Sequence, residues 1–314
     1  MATVYRMNML GAAVESTVGT SVFSGMDDDD TLFHVMNVDV QTEIDYARRT
    51  LQGSLSNLTS VHGPRSRVVT FSLFAYGAGS AGLPTWANIF LPACGLKETT
   101  ASFWYTPSSL QTDHTSLSLA VYKDGKVTKV RGARGNVNIN FVHGRPIEFQ
   151  FEFRGVYDGE EDEANPTGQS WPTIVPPRVG SAAVSLGSFT PVLSQFNINS
   201  QNVVELRPTI ANDDAWISAI IVDRAFGGSA DPEDELVATN DYFAQVKAHT
   251  EQALSIAVGT VQYNKITITA PKFQWNTITE TNRQGLNALN ATFTLNADLA
   301  NGSDNEIKIF FPQS

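Results

Sequence analysis

Residues able to do chemistry are few and scattered in this chain. The five histidines, His34, His62, His114, His143 and His249, show no ligand spacing such as HxxxH. The single cysteine, Cys94, excludes an intrachain disulfide and any CxxC site. It closes a short apolar stretch and reads as packing rather than as a nucleophile. No GxSxG, GxxxxGK or GxGxxG lies in a strand-turn-helix context. Asp27 to Asp30 are contiguous carboxylates, whereas calcium loops space their ligands at alternate positions around a glycine. A solvated loop is the expected reading there. Glu148 and Glu152 share one strand face about 13 Å apart by strand rise, a pairing that invites comparison with glycosidases. Gln150 sits between them and no aromatic platform accompanies them, so a solvated face is expected. No catalytic residue, metal site or cofactor is predicted, and the chain is not read as an enzyme.

The elements around these residues carry more information. From Thr115 to Tyr157, four short runs alternate apolar and polar residues, and three turns separate them. Leu117, Leu119 and Val121 share one face, then Val137, Ile139 and Phe141, then Ile147, Phe149, Phe151 and Phe153. A period of two predicts strands with one face buried. Lys123-Asp124-Gly125-Lys126 is an Asp-Gly hairpin signal, and Gly132-Ala133-Arg134-Gly135 reads as a tight turn between strands. The pattern returns from Ala253. Leu254, Ile256 and Val258 answer the first run, Ile266 and Ile268 open a second, and Phe273 and Trp275 a third. Leu289, Ala291, Phe293 and Leu295 answer the last. Such a repeat indicates a duplicated domain, and 314 residues suit two domains.

The expected boundaries are 1–157 for the first domain, with a poorly patterned extension at 1–33. An acidic, then proline-rich linker follows at 158–178, and the second domain is 179–314. Leu32 to Tyr46 alternates, with Val35, Val38, Val40 and Ile44 as its buried positions. Arg48 to Arg67 reads as a long polar connection, an arm reaching another protein surface. Val68 to Ala75 is then a strand. Pro84 to Cys94 predicts a short helix with Trp86, Ile89, Phe90 and Ala93 on one side. In the second half, Ser185 to Asn199 reads as a strand pair. A polar connection from about 201 to 214 precedes the strand Ile217 to Val222, and Tyr242 to Lys247 holds the place of the helix. Glu306 to Phe311 is an extra strand without a counterpart in the first half.

The formal charge of −11 is uneven. Through Tyr157, 13 acidic and 13 basic residues cancel; beyond it, 19 acidic and 8 basic residues supply all of it. An acidic half does not grip nucleic acid through phosphates, although it can lie beside nucleic acid and repel it. The exposed strand positions are mostly Asn136, Asn138, Asn140, Gln150, Asn290, Thr292, Thr294 and Asn296, with Lys129 and Arg131 as exceptions. No apolar run is long enough to cross a bilayer, and residues 1–23 do not make a convincing signal peptide.

Several stretches resemble the tail tube (major tail) proteins of long-tailed bacteriophages. In the first half they are LPTWANIFLPACGL at 83–96, WYTPSS at 104–109 and YKDGKVTKVRGARGNVNINF with FQFEFRGVY through 157. In the second they are FTPVLSQFNI at 189–198, ELVATNDYFAQVKAHTEQALSIAVGT at 235–260 and NKITITAPKFQW at 264–275. The resemblance implies a mainly β protein of two tandem β-sandwich, barrel-forming tube domains, each with one short flanking helix. It implies rings stacked into a hollow tail tube that delivers DNA, and a duplicated chain implies a homotrimer imitating a hexamer. Implied partners are further copies of the chain, tail terminator and tail tip proteins, a tape measure protein in the lumen, and passing double-stranded DNA, with no membrane. The implied location is the virion tail, assembled in the host cytoplasm. On this reading Glu148, Gln150, Glu152, Asn290, Thr292 and Asn296 are candidate lumen residues. Arg48, Arg49, Leu55, Leu58, Arg65, Arg207, Asp213 and Asp214 are candidate ring-stacking arm residues. Two other expectations stay open: a secreted-effector tube of the same fold, and a glycan-binding or capsid-decorating β-sandwich.

Overall fold

The computed structural model describes residues 5–26, 31–99, 103–167, 169, 171–180 and 183–313. Asp27 to Asp30, expected as a solvated loop, lie outside the described residues. The protein is mainly β. The strands of the first half are β1 (Asn8–Val14), β2 (Leu32–Phe33), β3 (Met36–Thr50), β4 (Asn57–Phe74), β5 (Leu96–Thr99), β6 (Trp104–Pro107), β7 (Leu117–Lys123), β8 (Val127–Val142) and β9 (Glu148–Glu161). Those of the second are β10 (Ala183–Leu186), β11 (Leu193–Asn199), β12 (Val203–Pro208), β13 (Trp216–Asp223), β14 (Gly227–Pro232), β15 (Glu251–Val258), β16 (Ile266–Arg283), β17 (Leu286–Asn296) and β18 (Lys308–Phe310). Two helices, α1 (Thr85–Ala93) and α2 (Tyr242–Lys247), occupy the two predicted places.

Eight strands form one antiparallel sheet in the order β3-β4-β9-β8-β11-β14-β17-β16. The first four come from the first half and the last four from the second. Each set of four has the same layout, and the halves join where Asn138 to Val142 of β8 pair with Gln195 to Asn199 of β11. The long strands β8 and β16 leave this sheet and continue into a second layer. There β8 pairs with β7, which pairs with β1, while β16 pairs with β15, which pairs with β10. The apolar face of the long sheet carries two aromatic clusters, one in each half, with Val137, Ile139 and Ile198 between them. Phe71 and Phe151 stack with centroids 5.3 Å apart, and Phe90 of α1 lies 5.0 Å from Phe71 and 5.2 Å from Phe151. In the second half Tyr242 of α2 meets Trp275 at 5.9 Å, and Phe273 meets Phe293 at 4.6 Å. Such ring pairs add to the burial energy.

Several sequence expectations are corrected. Thr115 to Tyr157 makes three strands, not four, because β8 runs straight through Gly132 to Gly135. What reads as a turn there is a β-bulge between Arg131 and Arg134, with Gly132 at φ +60°. The buried positions change phase across it, from Val130 to Ala133 and Val137. The second half repeats the device: Ile266 and Ile268 belong to the same strand as Phe273 and Trp275, with the phase changing near Pro271. An extra residue in a strand breaks the period of two just as a turn does. Leu117 to Tyr122 is buried on both faces, since Met26 and Leu32 cover Ala120 and Tyr122, and Glu15 accepts from Ser118 Oγ.

The 1–33 extension is also not one. Within it β1 pairs along its whole length with β7, and Leu10 and Ala12 are fully buried. Part of the proposed 158–178 linker is strand, since β9 continues to Glu161. The Ser185 to Asn199 pair splits, with β10 joining β15 and β11 joining β8 and β14. The last strand does have a counterpart. β18 flanks β16 at Ile268 as the end of β9 flanks β8 at Val130; in the second half that segment has become a separate strand. It then pairs with β6, and β6 with β5, tying residues of the first half into the second.

Candidate functional site: a polar sheet face and two open edges

Alternation along seven adjacent strands, β4 to β16, places mostly polar residues side by side across the chain, with Gly227 and Phe74 as the exceptions. One row runs through Ser72, Gln150, Asn138, Asn199, Gly227, Thr294 and Gln274, and the next through Phe74, Glu148, Asn140, Asn197, Ser229, Thr292 and Thr277. All six candidate lumen residues, Glu148, Gln150, Glu152, Asn290, Thr292 and Asn296, lie on this one face. Uncharged groups on it are tied to each other. Asn138 Nδ2 donates to Gln150 Oε1 at 3.0 Å, and Asn197 Nδ2 donates to Oδ1 of both Asn138 and Asn140. Thr277 and Thr292 hydroxyls meet at 2.6 Å, and Asn296 Nδ2 donates to Gln274 Oε1 at 2.8 Å. Ladders of this kind hold side chains in place without any charge. A shallow hollow of about 480 Å³ between Thr70, Asn136, Gln150, Glu152 and Gln201 is lined by the same groups.

Cations at this face are neutralised. Arg154 pairs with Glu43 at 2.9 Å, and Lys272 with Glu251 at 3.2 Å. Lys129 and Arg131, the two exceptions noted in the sequence, pair with Glu161 at 2.7 Å and with Asp158 at 3.3 Å. Arg134 is buried and donates to the carbonyls of His114 and Thr115. Glu148 and Glu152, by contrast, carry no ion pair among the described residues. What remains on the face is polar and weakly negative.

The Arg48 to Arg67 connection is a β-hairpin rather than a loop. β3 and β4 pair as far as Thr50 and Asn57, while β9 accompanies β4 only from Ser66 onward. The hairpin therefore projects beyond the sheet by roughly 20 Å at strand rise. Both its faces are wet, so it lacks the alternation that marks half-buried strands; Ile44, expected in the core, is exposed with Tyr46, Leu51, Leu55, Leu58 and Val61. The arm's basic residues do not act alike. Arg67 is fully buried, donating to the carbonyls of Lys129 and Gly159 and to Glu160, with its guanidinium 4.1 Å from the Tyr157 ring centroid. Arg65 pairs with Asp214 at 2.8 Å and lies 3.9 Å from Asp213. Of the arm's four arginines, only Arg48 and Arg49 stand free of ion pairs among the described residues, Arg48 donating to Asn57 Oδ1.

The connection after Gln201 is likewise a hairpin, β12 with β13, in its own two-stranded sheet. It occupies the place in the second half that the long arm occupies in the first, but it folds back on the chain. Asp214 bridges Arg65 and, at 3.4 Å, Arg131, and Gln111 Nε2 donates to Ile221 O at 2.7 Å. A Cβ at Gly132 would stand 2.9 Å from Ser218 Cα, so the bulge glycine is what lets the hairpin approach. Of the expected arm residues here, Arg207 and Asp213 are exposed, and Asp214 is an internal tie. Sequence reasoning missed Glu15, a buried carboxylate that accepts from Gly19 N, Gly132 N, Ser116 Oγ and Ser118 Oγ at 2.6–2.9 Å and locks the same bulge.

Among the described residues the long sheet ends in two unpaired edges. β3 pairs only with β4. β16 pairs with β15 as far as Gln274, and from Asn276 to Arg283 its far side is open. On β8 the equivalent side, just past β7, is the one that takes β11. β3 holds in the first half the position that β11 holds in the second. The open edges are thus the two partners of the internal junction, each missing its mate. Strand directions alternate throughout, so β3 of another copy would meet β16 antiparallel.

Cys94 is buried, and burial pushes its thiol well above the ordinary range, which disfavours the nucleophilic thiolate. No protein-family model and no curated protein matches this chain.

Proposed function

We propose that the chain is a tail tube protein: three copies close into a ring, and rings stack into a hollow tube that conducts double-stranded DNA. The observation that carries this reading is the pair of open edges reproducing the β8–β11 junction. An open sheet edge invites uncontrolled pairing, and closing the sheet removes it. Eight strands per copy give a barrel of 24 in a trimer. At about 4.7 Å between strands and a tilt near 40°, such a barrel measures about 47 Å across its Cα atoms, against about 31 Å for a dimer. The trimer leaves room for a DNA duplex inside two layers of side chains, and the dimer does not.

Apolar residues face α1, α2 and the second layer, so the polar face is the lumen. A lining of hydrogen-bonded amides and hydroxyls, with its cations paired and Glu148 and Glu152 unpaired, gives phosphates nothing to neutralise. Each neutralised phosphate would add salt-dependent affinity and slow passage. The chain's role on this reading is structural rather than catalytic. It has tail terminator and tip proteins at the ends of the tube and a tape measure protein inside during assembly, and its place is the virion tail. A secreted-effector tube would share the ring and differ in its passenger; the acidic and amide-rich lining favours the nucleic-acid passenger. A glycan-binding or capsid-decorating role fits less well, since Trp86 and Trp275 are buried in the core and Trp171, 40% exposed, stands edge-on to His34 rather than in a row of exposed rings.

Negative-stain electron microscopy of the purified protein tests this. Rings with three-fold symmetry and a six-fold appearance, or tubes built from them, are expected. A protein that stays monomeric at high concentration, with or without a tail initiator complex, overturns the proposal.

A further inference from the structure

The β3–β4 hairpin projects from one end of the long sheet, and an acidic, partly apolar segment lies at the other. β3 runs toward the arm. Counting antiparallel neighbours, β14 runs the other way, so the segment that leaves β14 emerges at the far rim. That segment, Glu233 to Phe243, is acidic and apolar at once. Leu236, Val237 and Phe243 are 78, 74 and 48% exposed. Asp234 and Glu235 beside them carry no ion pair among the described residues, whereas Glu233 is held by Arg283. The arm is its complement. Leu51, Leu55 and Leu58 are exposed beside Arg48 and Arg49, the arm's two cations without an acidic partner.

The numbers of donors and seats also match. Each chain has one free arm, because its second hairpin, β12–β13, is folded back and spent on internal contacts. Each chain also has one acidic rim. The equivalent segment after β4, Ala75 to Leu83, contains no charged residue.

We infer that the arm of one copy docks on the Asp234 to Phe243 rim of a copy in the adjacent ring, with Arg48 and Arg49 against Asp234 and Glu235 and the arm leucines against Leu236, Val237 and Phe243. This deepens the tube reading and rests on it. The interface is head-to-tail between unlike surfaces and does not close on itself. Repetition therefore produces a filament of rings rather than a pair.

Charge reversal and cross-linking test it together. Arg48→Glu/Arg49→Glu and Asp234→Lys/Glu235→Lys should each leave rings intact by mass photometry and abolish tubes by electron microscopy, and the chain carrying all four changes should recover tubes. In a Leu55→Cys/Val237→Cys chain, oxidation of tubes should give covalent ladders, since Cys94 is buried and does not compete. Isolated rings should give none. Tubes unaffected by either charge reversal, or cross-links forming within isolated rings, overturn the docking while leaving the ring reading standing. A wild-type protein that forms no rings overturns both.

Discussion

Two adjacent residues of β16, Thr279 and Glu280, should respond oppositely to proline. Both are exposed and lie on the stretch paired with β17 at Asn290 and Leu289 and open on the other side. In an antiparallel strand, successive residues direct their N–H groups to opposite neighbours. One of Thr279→Pro and Glu280→Pro therefore removes a bond to β17 and lowers the melting temperature of the monomer. The other removes only an N–H on the open edge, leaving the monomer unchanged while blocking ring closure. The internal junction spans five residue pairs, so an equivalent junction between copies holds about five backbone bonds, each about 1 kcal/mol net. Loss of one bond at each of three junctions costs a ring about 3 kcal/mol, which is about a hundredfold in assembly. The proline ring adds steric exclusion on top of that. Differential scanning fluorimetry reads the monomer and mass photometry reads the ring. If both prolines destabilise the monomer equally, or if neither impairs rings, β16 does not form the joint.

Further expectations concern the lining, the bulge and one buried histidine. Glu148→Lys/Glu152→Lys puts unpaired cations on the polar face and should slow DNA ejection several-fold at low salt, with relief as salt rises; unchanged ejection places these residues outside the lumen. Gly132→Ala drives a Cβ toward Ser218 from a φ of +60° and should cost about 1–3 kcal/mol, measured by urea unfolding. A neutral result means the β12–β13 hairpin is not pressed against the bulge. Burial, with Arg134 and Arg224 close by, holds the His114 imidazole below its ordinary range. The unfolded chain therefore binds the proton first as pH falls through about 6.5, and stability drops from there downward. The melting temperature should decrease between pH 7 and 5, and His114→Gln should flatten that decrease. A variant with the same slope as wild type assigns the effect to another group. Arg67→Ala removes the charge that serves two carbonyls and Glu160 and should destabilise by about 3 kcal/mol in the same assay.

The mainly β class, the duplication, both helices and the polar strand face are legible in the sequence because each rests on local periodicity. Val137, Ile139 and Phe141 alternate with Asn136, Asn138 and Asn140, and burial of one face is enough to write that pattern. What the sequence hides is wherever burial does not follow a period of two. The bulges in β8 and β16 look like turns. The β3–β4 arm and the β12–β13 hairpin look like loops, because strands wet on both sides have no apolar stripe. β1 carries no alternation to read, because Leu10, Gly11 and Ala12 are buried in succession. Pairing is another matter again. That Asn138 stands beside Asn199, that Arg65 meets Asp214, and that β16 and β3 are left open are decisions of sheet order between residues distant in the chain. Only the folded chain makes them, since a strand's sequence states which face it buries and not which neighbour it takes.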